Sequence, residues 1–139
     1  MKIIAEKQRH RERFEALQSV PGVGFVTAIA FELELFHPER FQREEQLTSY
    51  LGLAPTVRHS GERHPRGHLV PVGQKRLRSL LVEAAWVWVG HDPYAALLYR
   101  KFLGKSQVPQ KAIAAVARKL AVILWRLSIE KRAYRKMAS

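Results

Sequence analysis

Residues 17–28 read LQSVPGVGFVTA. A charged, helix-favouring segment ends at Leu17, and an apolar segment runs from Phe25 to about Leu35. A helix, a Pro-Gly-apolar-Gly turn and a second helix, in that order, are the pattern of a helix-hairpin-helix. Glycine tolerates positive φ and close backbone approach, and the N–H groups that open the second helix suit a DNA phosphate. Gly22, Val23 and Gly24 are therefore candidate nucleic-acid-binding residues; the alternative is a plain helix–helix turn with a glycine cap.

The charge of the chain indicates what kind of partner it binds. Its 139 residues suit one domain, and 24 Lys and Arg against 12 Asp and Glu give a net charge of +12. After Pro55 the only acids are Glu62, Glu83, Asp92 and Glu130. A basic domain of this size usually binds a polyanion, most often nucleic acid. A basic RNA-binding scaffold protein is a weaker alternative.

Composition also excludes several classes of protein. The chain has no cysteine, so a disulfide scaffold and a Cys-based zinc site are excluded. We expect a cytoplasmic protein, since no signal peptide is evident at the N-terminus. The longest apolar run, Ala84 to Val89, is too short to cross a bilayer.

The rest of the pattern predicts a mainly α fold. Residues 1–17 are interpreted as the helical tail of a coiled-coil-like linker, and 18–139 as one domain. Downstream helices are predicted at Phe41–Leu51, Gln74–Val89, Pro93–Leu103 and Pro109 to about Arg135. Gly52 is the expected C-cap of the first of these, and Asp92 the N-cap of the third. The middle of the last helix should form the central core, and the tail 131–139 is expected to fray.

The longest non-helical stretch is a basic loop, with an irregular or small β-hairpin expected at 56–72. Ser60 stands beside a glycine there and is a candidate nucleophile toward phosphorus. The alternative, a turn serine that bonds its own backbone, is the commoner use of such a residue. Six cations around it are candidate phosphate ligands: Arg58, Arg63, Arg66, Lys75, Arg76 and Arg78.

A metal centre is not expected in this chain. His59, His64 and His68 are loosely spaced for zinc, and no Cys or nearby Asp completes the set. Asp92 is the only aspartate, whereas a two-metal nuclease needs several convergent carboxylates. The histidines are interpreted as phosphate contacts or exposed side chains, and one of them is a candidate for proton transfer at Ser60.

Taken together, these motifs resemble the C-terminal domain of the insertion-sequence transposases related to the Piv DNA invertase. The match runs from about Leu17 to Leu127. It is carried by a series of spaced motifs: Pro21-Gly22-Val23-Gly24, Tyr50-Leu51-Gly52-Leu53-Ala54-Pro55, Ser60-Gly61, Gly67-His68-Leu69, Leu77-Arg78-Ser79-Leu80-Leu81 and Ala115-Val116-Ala117-Arg118-Lys119-Leu120. Each motif is weak singly, and the combination is specific.

The resemblance implies a two-part enzyme, some of whose relatives are guided by a bridge RNA. In that family a RuvC-like DEDD domain supplies acids and magnesium, and a coiled coil joins it to the C-terminal domain. The serine matched by Ser60 is thought to link covalently to a DNA phosphate in a composite site between subunits. This chain lacks the acidic domain, and Pro71 stands where the family commonly has a lysine. The expected partners are DNA, the RuvC-like domain, further copies in the full-length enzyme and, as in some members of the family, a guide RNA. A non-enzymatic helix-hairpin-helix module is the alternative function.

Overall fold

The computed structural model describes residues 2–54 and 72–135, which form six α-helices and one short 3-10 helix. The helices are α1 (Lys2–Gln18), α2 (Phe25–Leu35), the 3-10 helix (Pro38–Arg40), α3 (Glu44–Tyr50), α4 (Val72–His91), α5 (Pro93–Ser106) and α6 (Pro109–Glu130). No strand occurs in these two ranges, which confirms the mainly α prediction. The loop or hairpin predicted at 56–72 lies outside the described residues, except that Val72 already belongs to α4.

Helix α6 is the centre of the domain, as its apolar pattern predicts. It packs against α1, α3, α4, α5 and the 3-10 helix. Its middle is buried on nearly every side, from Val116 and Ala117 through Leu120 and Ala121 to Leu124. The indole Nε1 of Trp125 donates to the Pro38 carbonyl at 2.7 Å. The core helix thereby also fixes the segment that follows α2.

The N-terminal helices form the predicted helix-hairpin-helix. α1 and α2 pack on each other, with the Phe14 and Phe25 rings edge to face at 5.3 Å. Arg13 is buried and forms ion pairs with Glu39 and, at 3.9 Å, with Glu32. The end of α1 is therefore part of the packed domain. The division at residue 17 between a linker and the domain stays a prediction.

Helix α3 is shorter than predicted at its start. Phe41 is extended rather than helical, because the Gln46 side chain accepts hydrogen bonds from the backbone N–H groups of Gln42 (2.7 Å) and Arg43 (3.4 Å). These bonds hold the chain outside the first turn. The C-terminal cap is as predicted: Gly52 has φ +71, and two reversed hydrogen bonds, Gly52 N to Ser49 O and Leu53 N to Thr48 O, form a Schellman motif.

The predicted end of α5 at Leu103 is wrong. The helix passes through Gly104 and ends at Ser106, where Gln107 takes the left-handed conformation with φ 57. The start is as predicted, since Asp92 accepts from the N–H groups of Tyr94 (2.9 Å) and Ala95 (3.4 Å). Glycine lowers helix stability but does not force a helix to end. Gly104 alone was therefore not enough to locate the end of α5 from the sequence.

Alanine at Gly104 is expected to stabilise the protein by about 1 kcal/mol, because alanine has less unfolded-state entropy to lose. A Cβ at this exposed helical position has no atom within 4 Å. Urea unfolding followed by circular dichroism measures the change. Gly52→Ala is the matched control and should destabilise, since φ there is +71 and its Cβ would lie 2.5 Å from Arg78 Nη1. Equal effects of the two substitutions would contradict this account.

Helix α6 ends at Glu130 rather than near Arg135, because Lys131 is left-handed with φ 53 and its N–H caps the Leu127 carbonyl at 2.7 Å. The expectation that the tail frays is wrong for 131–135, which fold back onto the domain; residues 136–139 lie outside the described residues. Among the helices of the described ranges, none is both long and apolar enough to span a bilayer.

Candidate nucleic-acid interface

The hairpin turn is held from inside by apolar side chains. Val20 and Val23 are buried on either side of Pro21 and Gly22. The backbone N–H of Val23 donates to the Val20 carbonyl at 3.0 Å. The outer side of the turn is a shallow depression of about 440 Å³ lined by residues 18–24. The turn therefore presents its backbone, rather than large side chains, to a ligand.

The start of α2 has the features of an anion-binding helix terminus. Gly24 is the N-cap, exposed and extended (φ −95, ψ −165), and no side chain of the described part of the chain caps the helix. The first N–H groups of a helix have no partner within it, and the helix dipole adds partial positive charge there. A Cβ at Gly24 would have no atom within 4 Å. A phosphate has both room and donors at this position.

Gly22 fastens the turn to α4. Its φ is +95, and a Cβ there would lie 2.6 Å from the Ala84 carbonyl and 3.1 Å from the backbone N of Trp88. Only glycine allows this approach of two backbones. Of the three predicted turn residues, Gly22 is thus structural, Val23 is buried, and Gly24 is the one open to a ligand.

The basic start of α4 is a second candidate region, separate from the turn. Lys75 and Arg76 are exposed, whereas Arg78 is half-buried with its guanidinium against Gly52. At 1.5 Å per residue, Lys75 lies about 14 Å along α4 from Ala84, where the turn docks. The cations and the hairpin turn therefore meet α4 at separate positions. The cations lie near the start of the helix, and the turn packs against it near Ala84.

The remaining predicted site residues cannot be placed. Ser60, the cations Arg58, Arg63 and Arg66, and the three histidines His59, His64 and His68 all lie outside the described residues. Within 2–54 and 72–135, no three His, Asp or Glu side chains come together as a metal site.

Asp92 has a structural role instead. It is 2% exposed, and its Oδ2 accepts from the Tyr134 hydroxyl at 2.6 Å while its Oδ1 caps α5. Burial, and then the neighbouring Asp92 carboxylate, raise the pKa of the Tyr134 phenol above its ordinary value. The phenol therefore remains a hydrogen-bond donor at neutral pH.

The charge on the C-terminal helices extends the basic surface in a way that motif reading missed. Lys101 and Lys105 at the end of α5 and Lys111 at the start of α6 are all exposed. None has an acidic partner within 4.0 Å among the described residues. The sequence did contain a signal for these lysines, namely the scarcity of acids after Pro55. That scarcity indicates an extended basic surface but does not mark particular residues as a motif does.

A different surface lies between α1 and α2. An apolar cavity of about 610 Å³ is bounded by Phe14, Ile29, Leu33 and Phe36, with His10, Arg11 and Glu32 at its edge. Leu33 and Phe36 are 71% and 62% exposed, and α2 contains no Lys or Arg. An apolar face without cations on α2 does not suit phosphate, so the candidate interface excludes it.

The described residues define a class of protein: a basic, helical domain built on a helix-hairpin-helix, with exposed cations of the kind that suits a polyanion. Residues 14–100 match the profile of the transposase IS116/IS110/IS902 family. That match covers more than half of the chain. The chain therefore belongs to this family of insertion-sequence transposases, and the resemblance drawn from its motifs is confirmed.

Individual relatives agree with the family. A putative transposase, y4rJ, of Sinorhizobium fredii is 40% identical over 92 residues, 62% of this chain and 23% of the relative. The transposase of insertion sequence IS1111A of Coxiella burnetii is 29% identical over 97% of this chain and 37% of its own. The pilin gene-inverting protein of Moraxella bovis is 30% identical over 89% of this chain and 39% of its own. The chain thus spans well under half the length of these relatives, and no solved structure matches it.

Proposed function

We propose that this chain is the DNA-binding, serine-bearing part of a transposase of this family. It binds duplex DNA through the hairpin turn and the basic start of α4. The observation that carries the proposal is the open first turn of α2: Gly24 is exposed, and no side chain in 2–54 or 72–135 caps the N–H groups that follow it. A helix start of this kind gives up the stability of a side-chain cap, and a bound phosphate would supply the missing acceptors.

Two further features support DNA as the ligand. Gly22 fixes the turn against α4, so the phosphate-binding N–H groups are held rigidly rather than on a free loop. Lys75 and Arg76, near the start of α4, are exposed. Donors held rigidly at the start of α2 and exposed cations on the neighbouring α4 are suited to the phosphates of a duplex. Exposed Lys101, Lys105 and Lys111 would add sequence-independent attraction.

The chemistry we propose is shared between two parts of the enzyme. Ser60 contributes a hydroxyl nucleophile: its Oγ forms a bond to a DNA phosphorus as the bond from that phosphorus to a sugar oxygen breaks, and the hydroxyl proton ends on the departing oxygen. The cations around Ser60 neutralise the charge that builds up on the phosphate. A RuvC-like domain, in the same or another polypeptide, contributes the acids that hold magnesium. Alone, this chain binds DNA without cutting it. A guide RNA and assembly into a homo-oligomer belong to the same proposal, with action on cytoplasmic DNA.

Gly24→Asp tests the binding site without harming the fold. Aspartate is a good N-cap and has room here, so α2 should be as stable or slightly more stable. Its carboxylate would occupy the N–H groups and repel phosphate. We expect affinity for a duplex to fall about tenfold, roughly the value of one charge-assisted hydrogen bond. Fluorescence anisotropy over a salt series measures it, and the slope of log affinity against log salt should drop by about 0.9.

Gly24→Asn is the matched control, because it caps the helix with nearly the same shape but no charge. We expect the DNA affinity of Gly24→Asn to fall only twofold to threefold. The difference from Gly24→Asp would then measure charge repulsion apart from helix capping. Equal affinities for wild type, Gly24→Asp and Gly24→Asn would overturn the hairpin as the DNA site. Stronger binding to RNA than to duplex DNA at every salt concentration would favour the RNA-binding scaffold instead.

A further inference from the structure

The five residues after α6 make contacts that neither the family match nor the proposed DNA site requires. Lys131 reverses the chain, and the backbone N–H of Tyr134 then donates to the Ser19 Oγ at 2.8 Å, across 115 positions of sequence. Ser19 itself donates to the Ala16 carbonyl at 2.5 Å. The tail is thus bonded to the first residue after α1, at the entrance of the hairpin turn.

The other end of Tyr134 is anchored in the core. Its hydroxyl donates to the buried Asp92 carboxylate at 2.6 Å. Its ring meets the ring of Trp88 edge on, with centroids 6.3 Å apart and planes at 72°. Trp88 is fully buried, and its backbone N is one of the atoms closest to Gly22. One side chain therefore touches the junction of α4 and α5 next to the place where the turn docks.

We propose that residues 131–135 act as a strap that holds the hairpin turn in its DNA-binding conformation, with Tyr134 as the positioning residue. The proposal rests on the proposed binding of DNA by the hairpin. Gly22 seats the turn on α4, and the strap ties the entrance of the turn to the same helix, through Ser19 and Trp88, from the opposite direction along the chain. Tyr134 does not touch the ligand; it acts through Ser19 and Trp88.

The energetic reason is the small number of bonds inside the turn. Its backbone hydrogen bonds are Val23 N to Val20 O at 3.0 Å and two longer ones, Ser19 N to Ala16 O and Val20 N to Leu17 O, both at 3.3 Å. A short turn of this kind opens locally at low cost unless other contacts close it. A protein whose binding-competent conformation is only partly populated binds its ligand more weakly by that fraction. The strap raises the competent fraction before DNA arrives.

The test deletes both anchors without changing charge, in the double variant Ser19→Ala/Tyr134→Phe. Three hydrogen bonds are lost: the Tyr134 N–H to Ser19 Oγ, the Ser19 hydroxyl to the Ala16 carbonyl, and the Tyr134 hydroxyl to the Asp92 carboxylate. Amide hydrogen exchange at Val20 and Val23 should therefore accelerate by tens of fold. Affinity for duplex DNA should fall about threefold to tenfold. The salt slope should stay that of wild type, because the bound state makes the same phosphate contacts.

The matched control is Ser49→Ala/Tyr94→Phe. Ser49 is exposed on α3, and Tyr94 packs on Trp88 at 6.1 Å much as Tyr134 does. This control variant should keep both the amide exchange rates in the turn and the affinity for duplex DNA close to those of wild type. If residues 131–135 only stabilised the whole domain, the Ser19→Ala/Tyr134→Phe variant would speed amide exchange in α6 as much as in the turn. That result would overturn the proposal.

Two other results are decisive. Unchanged exchange at Val20 and Val23 in the double variant would show that the tail does not hold the turn. Faster exchange with wild-type affinity, in a protein whose affinity Gly24→Asp lowers, would show that the turn needs no holding to bind DNA. If Gly24→Asp itself has no effect, the hairpin interface fails, while the exchange data decide separately whether the strap restrains the turn.

Discussion

Alanine at Gly22 is expected to lower the free energy of unfolding by about 3 kcal/mol, and to abolish hairpin-dependent DNA binding with it. The residue has φ +95, where an L side chain is strained by about 1–2 kcal/mol. Its Cβ would also stand 2.6 Å from the Ala84 carbonyl and 3.1 Å from the backbone N of Trp88. Both are helix backbone atoms and cannot rotate away, so the turn must lift off α4, at a further cost typical of overpacking.

Gly24→Ala provides the comparison two residues away. Gly24 is extended at φ −95 and has open space around its Cβ position, so this variant should stay within about 0.5 kcal/mol of wild type. Thermal and urea unfolding of the two variants measure the difference. A Gly22→Ala protein as stable as the Gly24→Ala protein would mean that the close approach to α4 does not exist in solution.

Ser60→Ala is expected to abolish recombination while leaving DNA binding intact. If the hydroxyl attacks phosphorus, its removal should lower the rate by on the order of a thousandfold or more, as for other enzymes that lose a nucleophile. The assay supplies a RuvC-like domain as a separate polypeptide, with magnesium, and follows strand exchange on an insertion-sequence end. Anisotropy with the same duplex confirms that binding persists.

Ser79→Ala is the control for this substitution, because Ser79 is an exposed serine one residue from Arg78. It should recombine like wild type. Full recombination by Ser60→Ala would return Ser60 to the role of a turn residue and favour a non-enzymatic binding module. Strand cleavage by the present chain alone with magnesium would contradict the division of chemistry between two parts.

The sequence predicted the elements whose causes are local. The start of α2, the glycine cap after α3 and the Asp92 cap of α5 follow from residues within four positions of each other, so they were readable without tertiary structure. The start of α3 was misplaced because apolar Phe41 fits a helical period while being buried in an extended segment. Burial alone does not distinguish these conformations.

Long-range contacts were beyond sequence reasoning. Nothing near Tyr134 in the chain shows that its partners are Ser19 and Asp92, which are 115 and 42 positions away. The tail is basic and polar, and local composition favours a frayed end there. Likewise, the glycines of the turn predicted close approach, but only the structure shows that Gly22 meets α4 while Gly24 stays open. For Ser60 and its surrounding arginines, the role rests on family resemblance.

Because the hairpin turn packs on α4, that helix sets the distance between the turn and the basic start of α4. The turn docks at Ala84, and the exposed cation Lys75 stands nine residues earlier on the same helix. One residue inserted between them would swing the basic end by about 100° and move it by about 1.5 Å. The number of residues in α4 between Lys75 and Ala84 therefore sets the distance and the angle between the basic start of the helix and the hairpin turn. Insertions should be tolerated least within this part of α4.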